Sequence, residues 1–339
     1  MLLTKSGRFQ KTAVLSLLLL SAAMLLSIAA GRYPVSFSDV CNVLANKIFG
    51  IPSDVSSRVE AIVWNIRVPR VLLACLVGCS LSAAGAAYQG VFQNPLASPD
   101  ILGASSGAAF GAALALLAGG NGICVAVSAF SFSLVAVGAV CLISRASAGK
   151  RTLTMILAGI VVGALFTAGI SFVKLVADPT DQLPAITYWL MGSLSGGGRE
   201  ALNFAGVPVF AGCFLLFALR WRINVLTLGD NEARAIGINV SYVRSAVIFS
   251  ASLITAAGVA VSGVIGWVGL VVPHLARRIV GNDYKVLMPV SMILGALFLL
   301  IVDDAARCLS AREIPIGILT SFVGAPFFIW LIMQPKAAK

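Results

Sequence analysis

Ten apolar stretches separated by short polar turns leave this chain very few folds to choose from. They lie near 13–30, 66–87, 101–119, 122–143, 152–176, 201–219, 241–260, 263–276, 286–305 and 314–333. A helix needs about 20 apolar residues to cross the roughly 30 Å hydrocarbon core of a bilayer, because each residue adds about 1.5 Å. Composition agrees: 59% of residues are hydrophobic and 11% charged, against about 25% charged in soluble domains. The expected fold is all-α, a polytopic membrane bundle of about ten transmembrane helices forming one domain over 1–339, with no soluble domain.

One stretch is ambiguous. The uncharged run from Ser245 to Pro273 would be about 43 Å long as one helix, too long for one crossing and short for two. Charge bias decides, since Lys and Arg accumulate in cytoplasmic turns. With two crossings and a cytoplasmic N-terminus, 15 of the 24 basic residues fall inside, whereas a single crossing divides them 12 to 12. Two crossings and two cytoplasmic termini are expected. Only Asp100, Asp230, Glu232 and Asp283 then lie inside, so the whole net charge of +11 sits on the cytoplasmic face. Glycines at 258, 263, 266 and 269 make the eighth crossing short or broken, which a membrane tolerates only where protein or a water-filled cavity surrounds the backbone.

Several function classes drop out. The basic residues are scattered singly between apolar runs, unlike the clustered basic face of a nucleic-acid binder. Gly149-Lys150 is followed by Arg151, so no phosphate-binding loop of the Walker type is present. The seven cysteines contain no C-x-x-C pair and read as small core residues. The single histidine, His274, has no partner at metal-ligand spacing, so neither a bound metal nor a cofactor is expected on this chain. The middles of the crossings also lack the carboxylates and histidines that serve ion-coupled carriers as relays. The apolar run behind Lys5, Arg8 and Lys11 exceeds the roughly 7–15 residues of a signal-peptide core, and a retained first crossing is expected.

The polar exceptions are then informative. The insert at 229–240 carries Asp230, Glu232, Ala233 and Arg234 between Gly229 and Gly237, a composition for one or two helical turns with a glycine exit. Such an element cannot cross a bilayer, and it presents Ile236 and Ile238 to one side. The inner turn from Tyr88 to Asp100 holds Asn94, Pro95 and Leu96, and its two prolines forbid a continuous helix. It reads either as a plain connection or as a gate at the inner exit. Gly103, Gly107 and Gly111 repeat every fourth position, a small-residue stripe for close helix packing. The outer stretch 31–65 reads as a partly amphipathic cover with turns at Pro34 and Pro52, and Tyr188-Trp189-Leu190-Met191 as a short patch at the outer mouth. Outside, Arg67 and Arg70 flank Pro69, and Arg307 follows Asp303 by one helical turn. They read as solvated side chains, as an internal ion pair, or as contacts for an acidic partner.

Six stretches in order resemble the permease subunits of ABC importers for iron(III)-siderophores, haem and cobalamin. They are Trp64 to Arg70, Gln93 to Gly103, Tyr188 to Gly192, Leu228 to Gly237, Gly269 to His274, and Ile314 to Gly317 with Gly324 to Phe327. The resemblance covers about 35–330. It implies a permease that pairs with a second copy or a paralogue, an ABC ATPase subunit that binds ATP and Mg, and an extracytoplasmic substrate-binding protein, all at the inner membrane. It makes 229–240 the coupling helix, Asn94, Pro95 and Leu96 part of the cytoplasmic gate, and Arg67, Arg70 and Arg307 docking residues. Asp303-Asp304 departs from the family pattern. The expected function is inward movement of an iron(III) chelate; haem or cobalamin import is the alternative, and a stand-alone carrier a remoter one.

Overall fold

In the computed structural model, residues 2–147, 151–310 and 312–333 are described. Lys150, Lys336 and Lys339, which enter the charge count, lie outside them, as does the Gly149-Lys150 step; the side chains of Lys5, Arg8, Lys11 and Arg151 also fall outside the description.

Among the described residues the chain is helical between its turns. The helices are α1 (Leu2–Ala29), α2 (Phe37–Phe49), α3 (Ser57–Ala61), α4 (Val68–Val91), α5 (Ala104–Leu117), α6 (Gly122–Ala146), α7 (Arg151–Val176), α8 (Gln182–Leu190), α9 (Arg199–Leu226), α10 (Asp230–Ala235), α11 (Val240–Ser262), α12 (Val268–Val280), α13 (Tyr284–Cys308) and α14 (Ile316–Met333). Seven helical segments are long and apolar enough to cross a membrane, and α5, α12 and α14 are shorter. Each of the ten expected crossings is occupied by one of these helices.

The differences have local causes. The second crossing begins early: α3, a π-helical turn at Ile62–Arg67 and α4 form one 35-residue rod from Ser57 to Val91. Pro69 sits at the start of α4, where a missing N–H costs little. The third crossing starts late. Pro99–Leu102 forms a 3₁₀ turn, and Gly103, at φ 73°, is the left-handed residue that separates it from α5. Gly263, at φ 68°, ends α11, and α12 resumes only at Val268. At 13 residues α12 is about 20 Å long, too short to span a bilayer alone.

Burial orders the bundle. In α4 and α11, 78% and 72% of the crossing window is buried, against 17% in α1 and 22% in α7. The first pair is therefore the packed centre and the second pair the rim. Glycines permit the tightest contacts. A Cβ at Gly78 would collide with the Gly295 carbonyl of α13, and one at Gly85 with the Gly269 backbone of α12. Gly107 and Gly111 likewise receive the backbone of α6 at Phe132 and Ser128, and Ser128 Oγ donates to the Gly111 carbonyl at 2.6 Å.

Two sequence expectations need correction here. Cys41, Cys124 and Cys308 are exposed rather than in the core: Cys124 and Cys308 lie at helix ends, and Cys41 lies on the side of α2 away from Val40 and Val43. The cover at 31–65 is more regular than its prolines suggest. α2 is capped by the Ser36 hydroxyl, which accepts from the Asp39 N–H, and it is stopped by Gly50 at φ 71°.

Candidate functional site

Successive helices joined by short turns run in alternating directions, which gives the bundle two faces. One carries α10, the turn after α4 and the ends of α9 and α12. The other carries α8, the start of α4 and the end of α13.

On the α10 face, α9 ends at Leu226 and the chain turns through Gly229, at φ 125°. After α10, Gly237 at φ 85° turns the chain again, and the Asn239 side chain accepts from Tyr242 N–H to begin α11. Only glycine adopts these backbone angles readily, which is why the insert is bounded as it is. α10 is pinned at its root. Asp230 receives two bonds from Arg244 of α11, Nη2 to Oδ1 at 2.7 Å and Nη1 to Oδ2 at 3.2 Å. The guanidinium is 6% exposed, and its Nε has no protein partner. Ala233 is fully buried, and its carbonyl accepts from Ile238 N–H at 3.0 Å.

The surface of the insert differs from the expected one. Ile236 is exposed while Ile238 packs against the core, because the Gly237 turn reverses the chain between them. The isoleucines therefore do not share a face. The exposed grip consists of Leu228, Glu232, Arg234 and Ile236, with Asp230 committed to the internal ion pair.

The turn after α4 lies on the same face. Leu96 N–H donates to Asn94 Oδ1 at 2.9 Å and Ala97 N–H to the Asn94 carbonyl at 3.1 Å. This asparagine-nucleated turn leaves Pro95 and Leu96 exposed and Ala97 buried. Gln93, left-handed at φ 49°, donates from Nε2 to the Leu226 carbonyl at 2.7 Å. The turn is thus tied to the helix end that leads into α10. Farther in, Arg277 of α12 donates to Gln89 Oε1 and to the Tyr284 hydroxyl, and Tyr284 N–H donates to Asn224 Oδ1. Gln89 Nε2 reaches the Gly269 carbonyl at 3.3 Å. One polar chain therefore connects α4, α9, α12 and α13.

On the α8 face, of the readings open for the three arginines, the internal one describes their contacts. Arg67 is buried, with Nη1 donating to the carbonyls of Ile28 and Ala29 at 2.9 and 2.8 Å and Nη2 donating to that of Tyr33. Arg307 is buried too, and donates to the carbonyls of Ser27 and Ala30 and to Asp304. Both guanidiniums satisfy the C-terminal carbonyls of α1, groups that no intrahelical N–H can reach. Arg70 holds Asp303 from Nε and Nη2, and Glu313 from Nη1 and Nη2, at 2.9–3.1 Å. All three guanidiniums are engaged within the chain, by Asp303, Asp304, Glu313 and main-chain carbonyls.

Two cavities flank the end of α8. One, of about 690 Å³, is bordered by Asn121, Tyr188, Trp189, Ser193, Glu200 and Ser262. The other, of about 730 Å³, is bordered by Leu190, Met191, Val264, Gly317, Phe322 and Pro326. Residues 188–191 and 263–266 divide them. This wall is fastened by main-chain bonds: Ser193 N–H to the Ser262 carbonyl, Ile316 N–H to that of Gly192, and Gly317 N–H to that of Met191. The patch expected at the outer mouth thus forms a wall between two open clefts. Among the described residues no group of three or more His, Cys, Asp or Glu has metal-binding geometry.

Sequence reasoning gave no individual role to Arg244, Arg277 or Glu313, and named Gln93 only as part of the inner turn. Arg244 had one signal, a lone cation between Arg234 and the uncharged run 245–273. The pairings of Gln93 with Leu226, Arg277 with Gln89 and Glu313 with Arg70 span more than 130 residues each, beyond any local pattern.

Comparison with known proteins agrees with this architecture. The model of the FecCD transport family matches residues 18–334. The molybdate import system permease protein of Haemophilus influenzae is 38% identical over 94% of this chain and 94% of its own length. The hemin transport system permease protein of Yersinia pestis is 37% identical over 98% and 99%. A solved structure described as a metal-chelate type ABC transporter in an inward-facing conformation superposes with a TM-score of 0.86, at 37% identity over 95% of this chain and 99% of that one.

Proposed function

The chain belongs to the FecCD transport family, and on that premise we propose that it is the membrane permease of an ATP-driven importer that carries a metal chelate, an iron(III)-siderophore above all, into the cell. The observation that carries the mechanism is the rooting of α10. A six-residue helix cannot be stable alone. Here it is fixed by Asp230–Arg244 and a buried Ala233, so it moves with α9 and α11 as one body.

An ATPase subunit that binds ATP and Mg grips the exposed Leu228, Glu232, Arg234 and Ile236. Displacement of α10 passes through the Gln93–Leu226 bond to Asn94, Pro95 and Leu96, which open or close the exit. A switch of this kind biases a two-state bundle without chemistry in the chain itself. The α10 face is cytoplasmic, consistent with the basic residues 145, 220, 222, 234, 244, 277, 278 and 285 in its turns and helix ends, and so are both termini. An extracytoplasmic binding protein delivers cargo at the α8 face. Of the three arginines named from sequence, Arg70 is the one that can still contribute there, by exchanging Glu313 for a partner's carboxylate; Arg67 and Arg307 hold α1. A second permease copy or a paralogue completes the pathway, and membrane lipid surrounds it.

The test is ATP-dependent uptake of an iron(III) chelate in proteoliposomes holding permease, ATPase and binding protein. Replacement of 229–237 by a glycine-serine linker abolishes uptake while assembly of the bundle persists; uptake that survives overturns coupling through α10. The relative named for molybdate favours a second reading, an oxyanion cargo. Competition between molybdate and an iron(III) chelate for the co-purified binding protein separates the two.

A further inference from the structure

α2 has two apolar faces, and only one is used. Val40 and Val43 are buried, and the helix packs on α1 and the π-helical turn. At about 100° per residue, Phe37, Cys41 and Ile48 lie within about 40° of one another on a different side, and all three are exposed. Phe49, the last residue of the helix and off this stripe, and Ile51 beyond it are 76% and 54% exposed. Asn42 lies on the polar side, also exposed.

We propose that α2 is an interfacial helix, lying in the headgroup layer of the bilayer with Phe37, Cys41 and Ile48 turned into the acyl boundary. Three observations choose lipid as the occupant. α2 follows α1, whose Leu18, Leu19 and Leu26 are exposed along a crossing that is only 17% buried; the stripe continues that lipid-facing belt. Both basic side chains nearest the stripe and the amide of Asn46 are already engaged. Lys47 pairs with Glu60, Asn46 Nδ2 donates to the Ile51 carbonyl, and Arg58 lies 5.3 Å over the Tyr33 ring. The stripe itself carries no polar pattern to specify a protein partner, and the three basic and three acidic residues of 31–65 cancel, which suits a zwitterionic surface. Amphipathic helices with such faces settle about 5–10 Å into the headgroup and acyl boundary. The consequence is mechanical. α2 fixes the depth of the α1 end, which Arg67 and Arg307 bind to α4 and α13.

The experiment places tryptophan at one exposed position at a time, Phe37→Trp, Ile48→Trp or Asn42→Trp, in full-length protein reconstituted in phosphatidylcholine bilayers. The native tryptophans give a common baseline. Phospholipid brominated near the top of the acyl chains should quench at least about half of the emission added at positions 37 and 48 and little of that added at 42. Equal quenching at all three positions overturns the proposal. So does added emission at 37 and 48 that is blue-shifted but untouched by bromine, which would mean a protein cover.

Discussion

Gln93 donates from Nε2 to the Leu226 carbonyl at 2.7 Å, and this bond joins the turn that follows α4 to the end of the helix that leads into α10. It crosses 133 residues of sequence to link the two elements on which the transport proposal depends. A neutral hydrogen bond of this kind is worth about 1 kcal/mol net, enough to shift a two-state equilibrium about fivefold.

Gln93→Leu should therefore leave assembly intact and weaken the coupling. The expected outcome is ATPase activity within about twofold of the parent complex and uptake per ATP lowered about fivefold. Paired measurement of hydrolysis and uptake in proteoliposomes checks it; an unchanged ratio removes the link from the mechanism.

Asp230 and Arg244 should behave as one unit. Truncation of either strands its partner, and for Arg244 that leaves a buried cation. Because the Asp230 side chain is 39% exposed, the coupling expected between D230N and R244Q is about 1–2 kcal/mol, less than for a fully buried pair. A double-mutant cycle on affinity for the ATPase subunit reads it. Additive losses would mean that the ion pair does not hold α10.

Glycine substitutions should divide sharply by location. Gly85→Val places carbon into the Gly269 backbone, whereas nothing lies within 4 Å of a Cβ at Gly138 in α6. Overpacking of a rigid crossing costs about 1–3 kcal/mol or more, so Gly85→Val should lose the folded monodisperse protein and Gly138→Ala should not. Fluorescence-detected size exclusion in mild detergent compares the two.

The arginines of the α8 face should separate as well. Arg307→Ala removes charged donors from the Ser27 and Ala30 carbonyls at a cost of about 1.5–3 kcal/mol. Faster amide exchange across 25–33 is expected, with no change in the salt dependence of binding-protein affinity. Arg70→Glu should weaken that affinity, most at low ionic strength. If the salt dependence moves with Arg307 and not with Arg70, the assignment is reversed.

The sequence alone determined the crossings, the break at Gly263 and the polar insert, because each follows from local rules. A run of about 20 apolar residues must cross, a left-handed glycine ends a helix, and a charged stretch stays out of lipid. Even the choice between one crossing and two for the stretch 245–273 was available from a count of lysines and arginines. What only the tertiary structure decided is which polar groups meet. For Arg67 and Arg307 the sequence left solvation, an internal pair and a partner contact open, because the α1 carbonyls that absorb them are nearly 40 and nearly 280 residues away. Ile236 and Ile238 looked like one grip until the turn at Gly237 parted them. Hydrophobic period and residue type act over a few residues, whereas a buried donor donates to whichever acceptor the packing of distant helices brings within about 3 Å.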